Sequence, residues 1–477
     1  MDGYGHVIDG HEVPSLDGAT MDDVDPFTRE PWARIALGGT ADADRAVAAA
    51  RAAFDEGPWP RMGFEDRQGI LHRLADLVDA NADELAMADT RDMGKPIAQA
   101  RDDAARAAWN LRFFADHARL STADAYPMDS GHHAFSTFQP AGVVVAISPW
   151  NFPLMQGTWK TAPALAWGNT VVLKPAEDTP VSSTRLARLA LEAGMPPGVL
   201  NVVHGYGPES VGAALAANPD VDRITFTGES GTGRAISQAA ARNLVPVSLE
   251  LGGKGPNLVF DDADLDNAVA WSVEAIFRNA GQICLSGSRL YAQAGIYDEF
   301  LARFLRAAEG LRAGDPKDPR TQFPLALASE EHYRKVAAYL ATVEQDGGRI
   351  LTGGTGQGWC VLPTIIVDAP PGARVCREEI FGPVCVVHRF QDEDEAVTAA
   401  NDTRYGLNAM VFTENLSRAH RVSARLRAGT VWVNCFFIRD LRAPFGGVGD
   451  SGVGREGGSF SREFFTEPKA VIMQVDR

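Results

Sequence analysis

Cys284 is the side chain of this 477-residue chain best suited to nucleophilic chemistry. It lies in the segment NAGQICLSGSR, at 279–289, among small and polar residues that would leave its thiol accessible to a carbonyl group. Most lone cysteines are inert core residues. Because a thiol with a pKa of about 8.5 is only slightly ionised at neutral pH, a nucleophilic cysteine also needs a base.

Glu250 is the candidate base. It lies in VSLELGGK, at 247–254, between Leu249 and Leu251 and just before two glycines. Apolar neighbours would partly desolvate the carboxylate and raise its pKa toward the range in which a general base works. A surface glutamate at a strand end is an equally good interpretation of this segment alone.

Asn151 is the candidate donor to an oxyanion. In SPWNFPL, at 148–154, two prolines fix the backbone on either side of the Trp–Asn–Phe core. A rigidly held amide N–H can stabilise the negative charge that develops when a carbonyl group is attacked. By itself the segment is also compatible with an ordinary turn that contains asparagine.

Strands that alternate with helices must position these three side chains. The first half has apolar runs at 141–147, 170–173, 199–203, 223–227 and 247–249, with helical stretches between them. A second series runs from 257 to about 433 and includes a helical stretch at 330–345, and the segment 461–475 carries a late apolar run. The alternation predicts βαβ units around parallel sheets.

Composition and charge narrow the classes of function. A net charge of -17 argues against nucleic acid or an anionic membrane as a partner. The five cysteines form no CxxC pair and no cluster with metal-ligand spacing, so no metal is predicted. The N-terminus lacks a leader pattern, and no apolar run is long enough to span a bilayer, which predicts a cytoplasmic protein.

Taken together, the motifs resemble the aldehyde dehydrogenase superfamily over nearly the full length. The matching segments are SPWNFPL at 148–154, GNTVVLKPAE at 168–177, FTGESGTG at 226–233, LELGGK at 249–254, GQICLSGSR at 281–289, EEIFGPV at 378–384 and PFGGVGDSGVGREGG at 444–458. The resemblance implies an α/β fold with three parts. These are a Rossmann-like NAD-binding domain (1–120 and 140–252), an α/β catalytic domain (253–450) and a small β oligomerisation arm (121–139 and 451–477). It also implies a homodimer or homotetramer.

The resemblance gives each of the three candidate residues a role. Cys284 would attack the aldehyde to form a thiohemiacetal, with the oxyanion held by the Asn151 side chain and the Cys284 backbone N–H. Hydride would pass to the nicotinamide and leave a thioester. Glu250 would then activate the water that releases a carboxylic acid.

The resemblance also implies a cofactor site. Lys174 and Glu177 would contact the adenine ribose, where a carboxylate accepts hydrogen bonds from the 2′-hydroxyl and repels a 2′-phosphate; this favours NAD, with NADP possible. Gly228 and Gly233 would let the backbone approach the pyrophosphate at a helix N-terminus. Glu229 is unexpected beside a pyrophosphate, because many relatives have serine there. Three further positions line the cofactor in the family: Trp150, Glu379 and Phe381.

The substrate tunnel of the family contains the positions of Arg106 and Arg439. A guanidinium can hold a carboxylate through two charge-assisted hydrogen bonds of about 1.5–3 kcal/mol each, so an anionic aldehyde is predicted. With the sequence around Arg439, the chain resembles the branch that oxidises 2-hydroxymuconic or 2-aminomuconic semialdehyde in aromatic catabolism. Alternatively, Arg439 forms a structural salt bridge with Asp440 or Glu456. Three residues would form the apolar wall of the tunnel: Phe152, Trp159 and Phe445.

Other classes of function remain open at this point. A broad-specificity dehydrogenase of neutral aldehydes would use the same catalytic residues without the arginines. A CoA-acylating relative usually lacks the base at Glu250, and the loop around Arg439 does not resemble an NADP-linked glyceraldehyde-phosphate type. A cysteine hydrolase would need a histidine in a motif suited to pair with Cys284. Loss of Cys284, Glu250 or Asn151 would have indicated a non-catalytic protein on the same fold, and all three are present.

Overall fold

The N-terminal quarter of the chain combines short strands with long amphipathic helices. The computed structural model describes residues 2–475. Met1, in the predicted NAD-binding domain, and residues 476 and 477, in the predicted oligomerisation arm, lie outside the described residues. The elements are β1 (Asp2–Tyr4), β2 (His6–Ile8), β3 (His11–Val13), β4 (Thr20–Asp25), β5 (Glu30–Ala36), α1 (Thr40–Asp55), α2 (Phe64–Ala80), α3 (Ala82–Met93) and α4 (Ile97–Arg119).

Strands and helices then alternate as the sequence predicts. The elements up to the predicted base are β6 (Ala125–Tyr126), β7 (His132–Pro140), β8 (Val143–Ile147), α5 (Pro153–Ala166), β9 (Thr170–Lys174), α6 (Val181–Glu192), β10 (Leu200–Val202), α7 (Val211–Ala217), β11 (Arg223–Thr227), α8 (Ser230–Ala240) and β12 (Val247–Glu250).

The alternation continues through the second half. The elements are β13 (Pro256–Val259), α9 (Leu265–Phe277), β14 (Arg289–Gln293), α10 (Tyr297–Glu309), β15 (Ala313–Gly314), β16 (Phe323–Pro324), α11 (Glu330–Leu340), β17 (Arg349–Thr355), β18 (Val361–Val367), α12 (Arg374–Arg377), β19 (Val384–Phe390), α13 (Glu393–Asn401), β20 (Asn408–Phe412), α14 (Leu416–Arg425), β21 (Thr430–Val433), β22 (Gly452–Val453), α15 (Gly458–Phe465) and β23 (Thr466–Gln474).

An eight-stranded sheet dominates the first half, in the order β22-β12-β11-β8-β9-β10-β2-β3. Its five central strands are parallel. Val144 and Ala146 of β8 pack into one hydrophobic cluster and Val143 and Val145 into another, so helices cover both faces. The chain leaves β8 toward β9 and β10 and later returns on the other side of β8 as β11. In open α/β sheets, such a reversal opens a crevice at the carboxyl ends of the strands.

A seven-stranded sheet organises the second half, in the order β17-β18-β19-β14-β13-β20-β21. Only β17 pairs antiparallel to its neighbour. The segment after β12 joins the sheets, because the Gly253 N–H donates to Glu379 Oε1, just before β19, over 2.8 Å. The carboxyl ends of strands in the first sheet therefore face the amino ends of strands in the second. The predicted α/β fold class is confirmed.

The remaining sheets contain the departures from the sequence analysis. β1, β5 and β4 form a three-stranded sheet that the apolar pattern did not predict. α11 ends at Leu340, short of the predicted stretch at 330–345. β23 pairs along its whole length with β7, which pairs in turn with β6. β6, β7 and β23, which lie in the two segments predicted to form the oligomerisation arm, thus share one sheet. β22, in the second of these segments, joins the first sheet instead. The predicted domain boundaries stay predictions.

No helix within residues 2–475 combines the length and apolar character needed to cross a bilayer. Over the same residues, no group of three or more His, Cys, Asp or Glu side chains is arranged to hold a metal ion.

A buried acidic pair predicts a stability that depends on pH. Burial raises the pKa of Asp23 to about 7, and the charges of Asp178 and Asp25 raise it further. The neighbouring Asp92 also has a raised pKa, because it is buried beside Asp23. Since the folded state holds a proton on Asp23 that the unfolded chain releases near its ordinary pKa, stability falls as pH rises from about 4 to about 7.

We therefore expect Asp23→Asn to raise the thermal midpoint at pH 8 by about 2–5 °C and to leave it nearly unchanged at pH 5. The neighbouring exposed residue gives the control, since Asp22→Asn removes the same charge and should change neither midpoint. Equal effects of Asp23→Asn at both pH values would contradict the buried-charge explanation.

Candidate active site

The crevice at the carboxyl ends of the first sheet forms an open cleft of about 930 Å³. Residues that follow β8, β9, β11 and β12 supply one wall, and α11 and the segment before β19 supply the other. Nine of the predicted catalytic and cofactor residues line this cleft: Trp150, Asn151, Lys174, Glu177, Gly228, Glu229, Cys284, Glu379 and Phe381. Residues far apart in sequence thus meet in one concave site.

The loop before Cys284 is held in an unusual backbone conformation. Asn279 and Ala280 have φ values of 50° and 52°, and Gly281 follows at 69°. Two successive non-glycine residues in the left-handed region store strain that the surroundings must hold. They are held by hydrogen bonds from Asn279 to the Asn151 carbonyl oxygen, 3.1 Å, and from the Asn151 amide to the Gln282 carbonyl oxygen, 2.8 Å. Cys284 and Asn151 are therefore fixed to each other.

The Cys284 thiol is half-buried at the bottom of the cleft. Burial raises its pKa well above the ordinary value, the carboxylates of Glu379 and Glu250 raise it further, and Arg439 opposes the rise. The thiol is therefore protonated in this state. Attack on a carbonyl group requires removal of that proton during the reaction.

Glu250, the last residue of β12, is buried and is not among the residues that line the cleft. Its residue is 4% exposed, and neither carboxyl oxygen has a hydrogen-bond partner within the described residues. Burial raises its pKa well above the ordinary range; nearby Glu456 adds to the rise, and Lys160 and Arg439 oppose it. A Cβ on Gly446 would lie 2.6 Å from Glu250 Oε1, so glycine is required there. A buried carboxyl group with a raised pKa and no hydrogen-bond partner among residues 2–475 is typical of a residue that exchanges protons in a reaction.

Glu456 and Lys160 are charged residues of the site; the sequence had indicated Glu456 only as a possible partner of Arg439, and it had not indicated Lys160. Glu456 Oε2 accepts a hydrogen bond from Trp159 Nε1, 2.5 Å, and Oε1 accepts one from Lys160 Nζ, 3.3 Å. The Glu456 backbone also forms a two-bond bridge with Phe445. A lysine within the otherwise largely apolar helix α5 was the available signal, because buried lysines are nearly always paired.

Arg439 stacks between two aromatic rings at this place. Its guanidinium carbon lies 3.7 Å from the centre of the Phe445 ring and 4.5 Å from that of Trp159, and Nη2 is buried without an acceptor among residues 2–475. Burial lowers the pKa of Arg439 to about 10, so the group stays charged at neutral pH.

The structural salt bridge considered for Arg439 is wrong. Asp440 pairs with Arg442 at 2.6 Å, and Glu456 pairs with Lys160 at 3.3 Å. Both candidate carboxylates are thus engaged by other cations.

Arg106 lies near enough to Arg439 that its charge lowers the pKa of Arg439. Its guanidinium carbon stacks 4.6 Å from the centre of the Trp109 ring, and Nε donates to Asn110 Oδ1 over 3.2 Å. Phe152 is buried and stacks with Phe437, with ring centres 6.0 Å apart. Glu250 and Glu456 balance part of the Arg439 charge, but its Nη2 has no acceptor among residues 2–475, which leaves this region suited to an anion.

The far end of the cleft contains Lys174 and Glu177. Lys174 Nζ donates to the Pro175 carbonyl oxygen, 3.0 Å, and lies 3.5 Å from Glu177 Oε2. Glu229 precedes α8 and reaches across the cleft to Lys335 of α11, at 3.4 Å. The carboxylate of Glu229, which is unexpected beside a pyrophosphate, thus pairs with a cation on the opposite wall of the cleft.

Gly233 has a packing role in the fold, and its predicted role at the pyrophosphate stays a prediction. It does not line the cleft, and a Cβ there would lie 2.6 Å from the Leu251 side chain. Its lack of a side chain lets α8 pack on Leu251. Gly228 does line the cleft, although a Cβ on it would also collide with the Phe226 ring at 2.4 Å.

A group of rings and a carboxylate form the near end of the cleft. Trp150 lies edge-on to Phe381, and both contact the buried ring of His332, which sequence reasoning missed. His332 Nε2 lies 2.7 Å from the Phe381 carbonyl oxygen and holds that residue at a φ of 60°. Burial raises the pKa of Glu379 to about 7. With a carboxylate at each end, the cleft fits a dinucleotide whose two riboses donate hydroxyl hydrogen bonds.

Comparison with known proteins agrees with this geometry. The model of the aldehyde dehydrogenase family matches residues 13–471. The 2-hydroxymuconic semialdehyde dehydrogenase of Pseudomonas sp. (strain CF600) is 47% identical over 484 residues, which cover 98% of this chain and 99% of that protein. The 2-aminomuconic semialdehyde dehydrogenase of Danio rerio is 42% identical over 479 residues, with coverages of 98% and 97%.

A solved structure supports the same assignment. The indole-3-acetaldehyde dehydrogenase AldA of P. syringae, in complex with NAD+ and IAA, superposes with a TM-score of 0.96 at 41% identity, covering 98% of this chain and 96% of that one. The fold and the cleft define an oxidoreductase that uses a dinucleotide. The chain belongs to the aldehyde dehydrogenase family. The predicted family and enzyme class are confirmed.

Proposed function

We propose that this chain uses NAD to oxidise an aldehyde that carries a carboxylate. The observation that carries the proposal is Arg439, a charged guanidinium held between Trp159 and Phe445 whose buried Nη2 has no acceptor among residues 2–475. Leaving a buried charged donor unpaired is costly, whereas a carboxylate would satisfy it. Arg106 adds a second positive charge to the same region. A semialdehyde of the 2-hydroxymuconate or 2-aminomuconate type fits this chemistry and agrees with the names of two relatives.

The residues of the chain divide the chemistry among them. Cys284 releases its proton to solvent in the open cleft and its sulfur bonds to the aldehyde carbon, while the carbonyl oxygen takes the negative charge. The N–H of Asn151 that does not bond Gln282, together with the Cys284 backbone N–H, would hold that oxygen. After oxidation to the thioester, Glu250 takes a proton from water as the water adds to the carbonyl carbon. The carbon–sulfur bond then breaks and the acid leaves.

The cofactor residues support NAD. Bound NAD supplies the hydride acceptor. Glu177 would accept hydrogen bonds from the adenine ribose and repel a 2′-phosphate, and Glu379 would accept from the nicotinamide ribose. Trp150 and Phe381 would exclude water from the ring. The homodimer or homotetramer and the cytoplasmic location stay predictions.

We expect the loss of Arg439 to be selective for charged substrates. Arg439→Leu should lower kcat/KM for 2-hydroxymuconate semialdehyde by about 10–100-fold, because a charge-assisted hydrogen bond contributes about 1.5–3 kcal/mol. With hexanal the loss should be about 10-fold smaller, because the alkyl chain makes no such bond and only the effect of the Arg439 charge on Cys284 and Glu250 is lost. The measurement is the initial rate of NADH formation with both aldehydes, with NAD and NADP in parallel.

Arg442→Leu is the matched control. Arg442 lies three residues away in the same loop, is exposed and already pairs with Asp440, so its removal should affect the two aldehydes equally. A wild-type preference for hexanal would favour a broad-specificity dehydrogenase of neutral aldehydes. Equal losses with both aldehydes in Arg439→Leu would remove the carboxylate site from the proposal.

A further inference from the structure

We infer that Lys95 is a positioning residue that sets the geometry of the oxyanion site through the backbone of Asn151. The inference rests on the proposed role of Asn151 as oxyanion donor. Lys95 is fully buried, and its ammonium donates to the Asn151 carbonyl oxygen over 2.7 Å. It also donates to Asp103 Oδ2 over 2.5 Å and lies 3.8 Å from the centre of the Phe152 ring.

The local fold explains why a lysine reaches this place. α3 ends at Met93, and the φ of 76° at the capping residue Gly94 turns the chain inward at Lys95. Pro96 follows and α4 begins at once, so that Asp103, in the second turn of α4, comes back to face the ammonium. Burial lowers the pKa of Lys95 and raises that of Asp103, and the charge of each partner opposes the shift of the other.

A buried ion pair contributes little net stability on its own, because desolvation offsets the attraction between the charges. Its position suggests another use. Asn151 lies in the loop between β8 and α5, outside any regular element, yet its carbonyl oxygen accepts from two side chains, Lys95 at 2.7 Å and Asn279 at 3.1 Å. With the carbonyl fixed at one end and the amide bonded to Gln282 at the other, the remaining amide N–H has one direction.

Precise direction is what an oxyanion donor requires. A displacement of about 1 Å from the reacting geometry can cost about 100-fold in rate. Lys95 is fully buried and does not line the cleft, so it would act on the reaction through Asn151. Its removal should therefore change kcat and leave the binding of NAD and of the aldehyde nearly unchanged.

A double-mutant cycle tests this dependence. Lys95→Met with Asp103→Leu replaces the ion pair by apolar side chains of similar size and avoids a lone buried charge. We expect this pair to lower kcat by about 10–100-fold while KM and the Kd for NAD change less than about 3-fold. In the Asn151→Ala background the same pair should cause no further loss beyond about 2-fold, because the group it positions is gone.

Two further variants keep the test decisive if the pair folds poorly. Lys95→Gln retains an N–H donor without the charge and should lose less activity than the Met variant. Lys317→Met with Asp25→Leu is the matched control, since it removes another Lys–Asp pair, 2.6 Å apart, from a place outside the cleft. Its kcat should stay at the wild-type value.

The outcomes separate the inference from the function it rests on. Losses that multiply in the Asn151→Ala background, or an unchanged kcat in the Lys95 variants, would overturn the inference and leave the oxyanion role of Asn151 intact. Full activity of Asn151→Ala alone would overturn both.

Discussion

Cys284→Ala is expected to abolish NADH formation with every aldehyde while NAD still binds. The substitution removes the sulfur that would form the covalent intermediate, and losing an enzyme nucleophile typically lowers turnover by about 10⁴-fold or more. The cleft lining is otherwise unchanged, so the Kd for NAD should stay within about 2-fold. Initial rates of NADH formation and calorimetric titration with NAD measure the two quantities.

Cys435→Ala supplies the control for this experiment. Cys435 is the other half-buried thiol of the chain and does not line the cleft, so its loss should leave turnover unchanged. Appreciable turnover by Cys284→Ala would show that the thiol is not the nucleophile. Loss of NAD binding in that variant would show that the substitution acts through the cofactor site.

Glu250→Gln is expected to separate the two halves of the reaction. If Glu250 activates only the water, the variant forms about one NADH per subunit in a rapid burst and then turns over about 10²–10⁴-fold more slowly. The stalled enzyme should carry the acyl group on Cys284, which mass spectrometry of the intact chain detects. Stopped-flow absorbance measures the burst.

The raised pKa of Glu250 adds a pH dependence to the second half. A general base works only when deprotonated. In the wild type, the rate at which water releases the acyl group from Cys284 should therefore fall as pH falls through that raised pKa. The variant should lose this dependence. Glu463→Gln, on the exposed face of α15, is the control and should retain the wild-type profile.

An absent burst in Glu250→Gln would mean that the same carboxylate also removes the Cys284 proton. Unchanged steady-state turnover would remove Glu250 from the mechanism.

Local motifs were enough to select Cys284, Glu250 and Asn151, because each lies in a short segment whose neighbours restrict its environment. The charged residues around them, Glu456, Lys160 and Lys95, could not be predicted from local motifs in the same way. Glu456 meets Trp159 and Lys160 across almost 300 residues of sequence, and no local pattern encodes such a pairing. Lys95 could be identified only once α4 had brought Asp103 back to it.

The fold shows the same division. Buried parallel strands such as β8 are continuous apolar runs, and the sequence predicts them directly. β4, with the sequence TMDDVD, carries three acidic residues in a strand of six, so it lacks the apolar alternation that predicts a strand. Gly233 illustrates a third case, since a glycine in a motif does not tell whether a ligand or a neighbouring side chain requires the space.

The pairing of β23 with β7 has a consequence for handling the protein. β23 is nine residues long, lies at the edge of its sheet and exposes Ile472 and Met473. An uncovered edge of that length offers a row of free backbone groups to any other extended chain, which is a known route to aggregation. Whether the protein aggregates should therefore depend on whether another chain covers this edge. Conditions that expose the edge of β23 should precipitate the protein while its catalytic cleft is still folded.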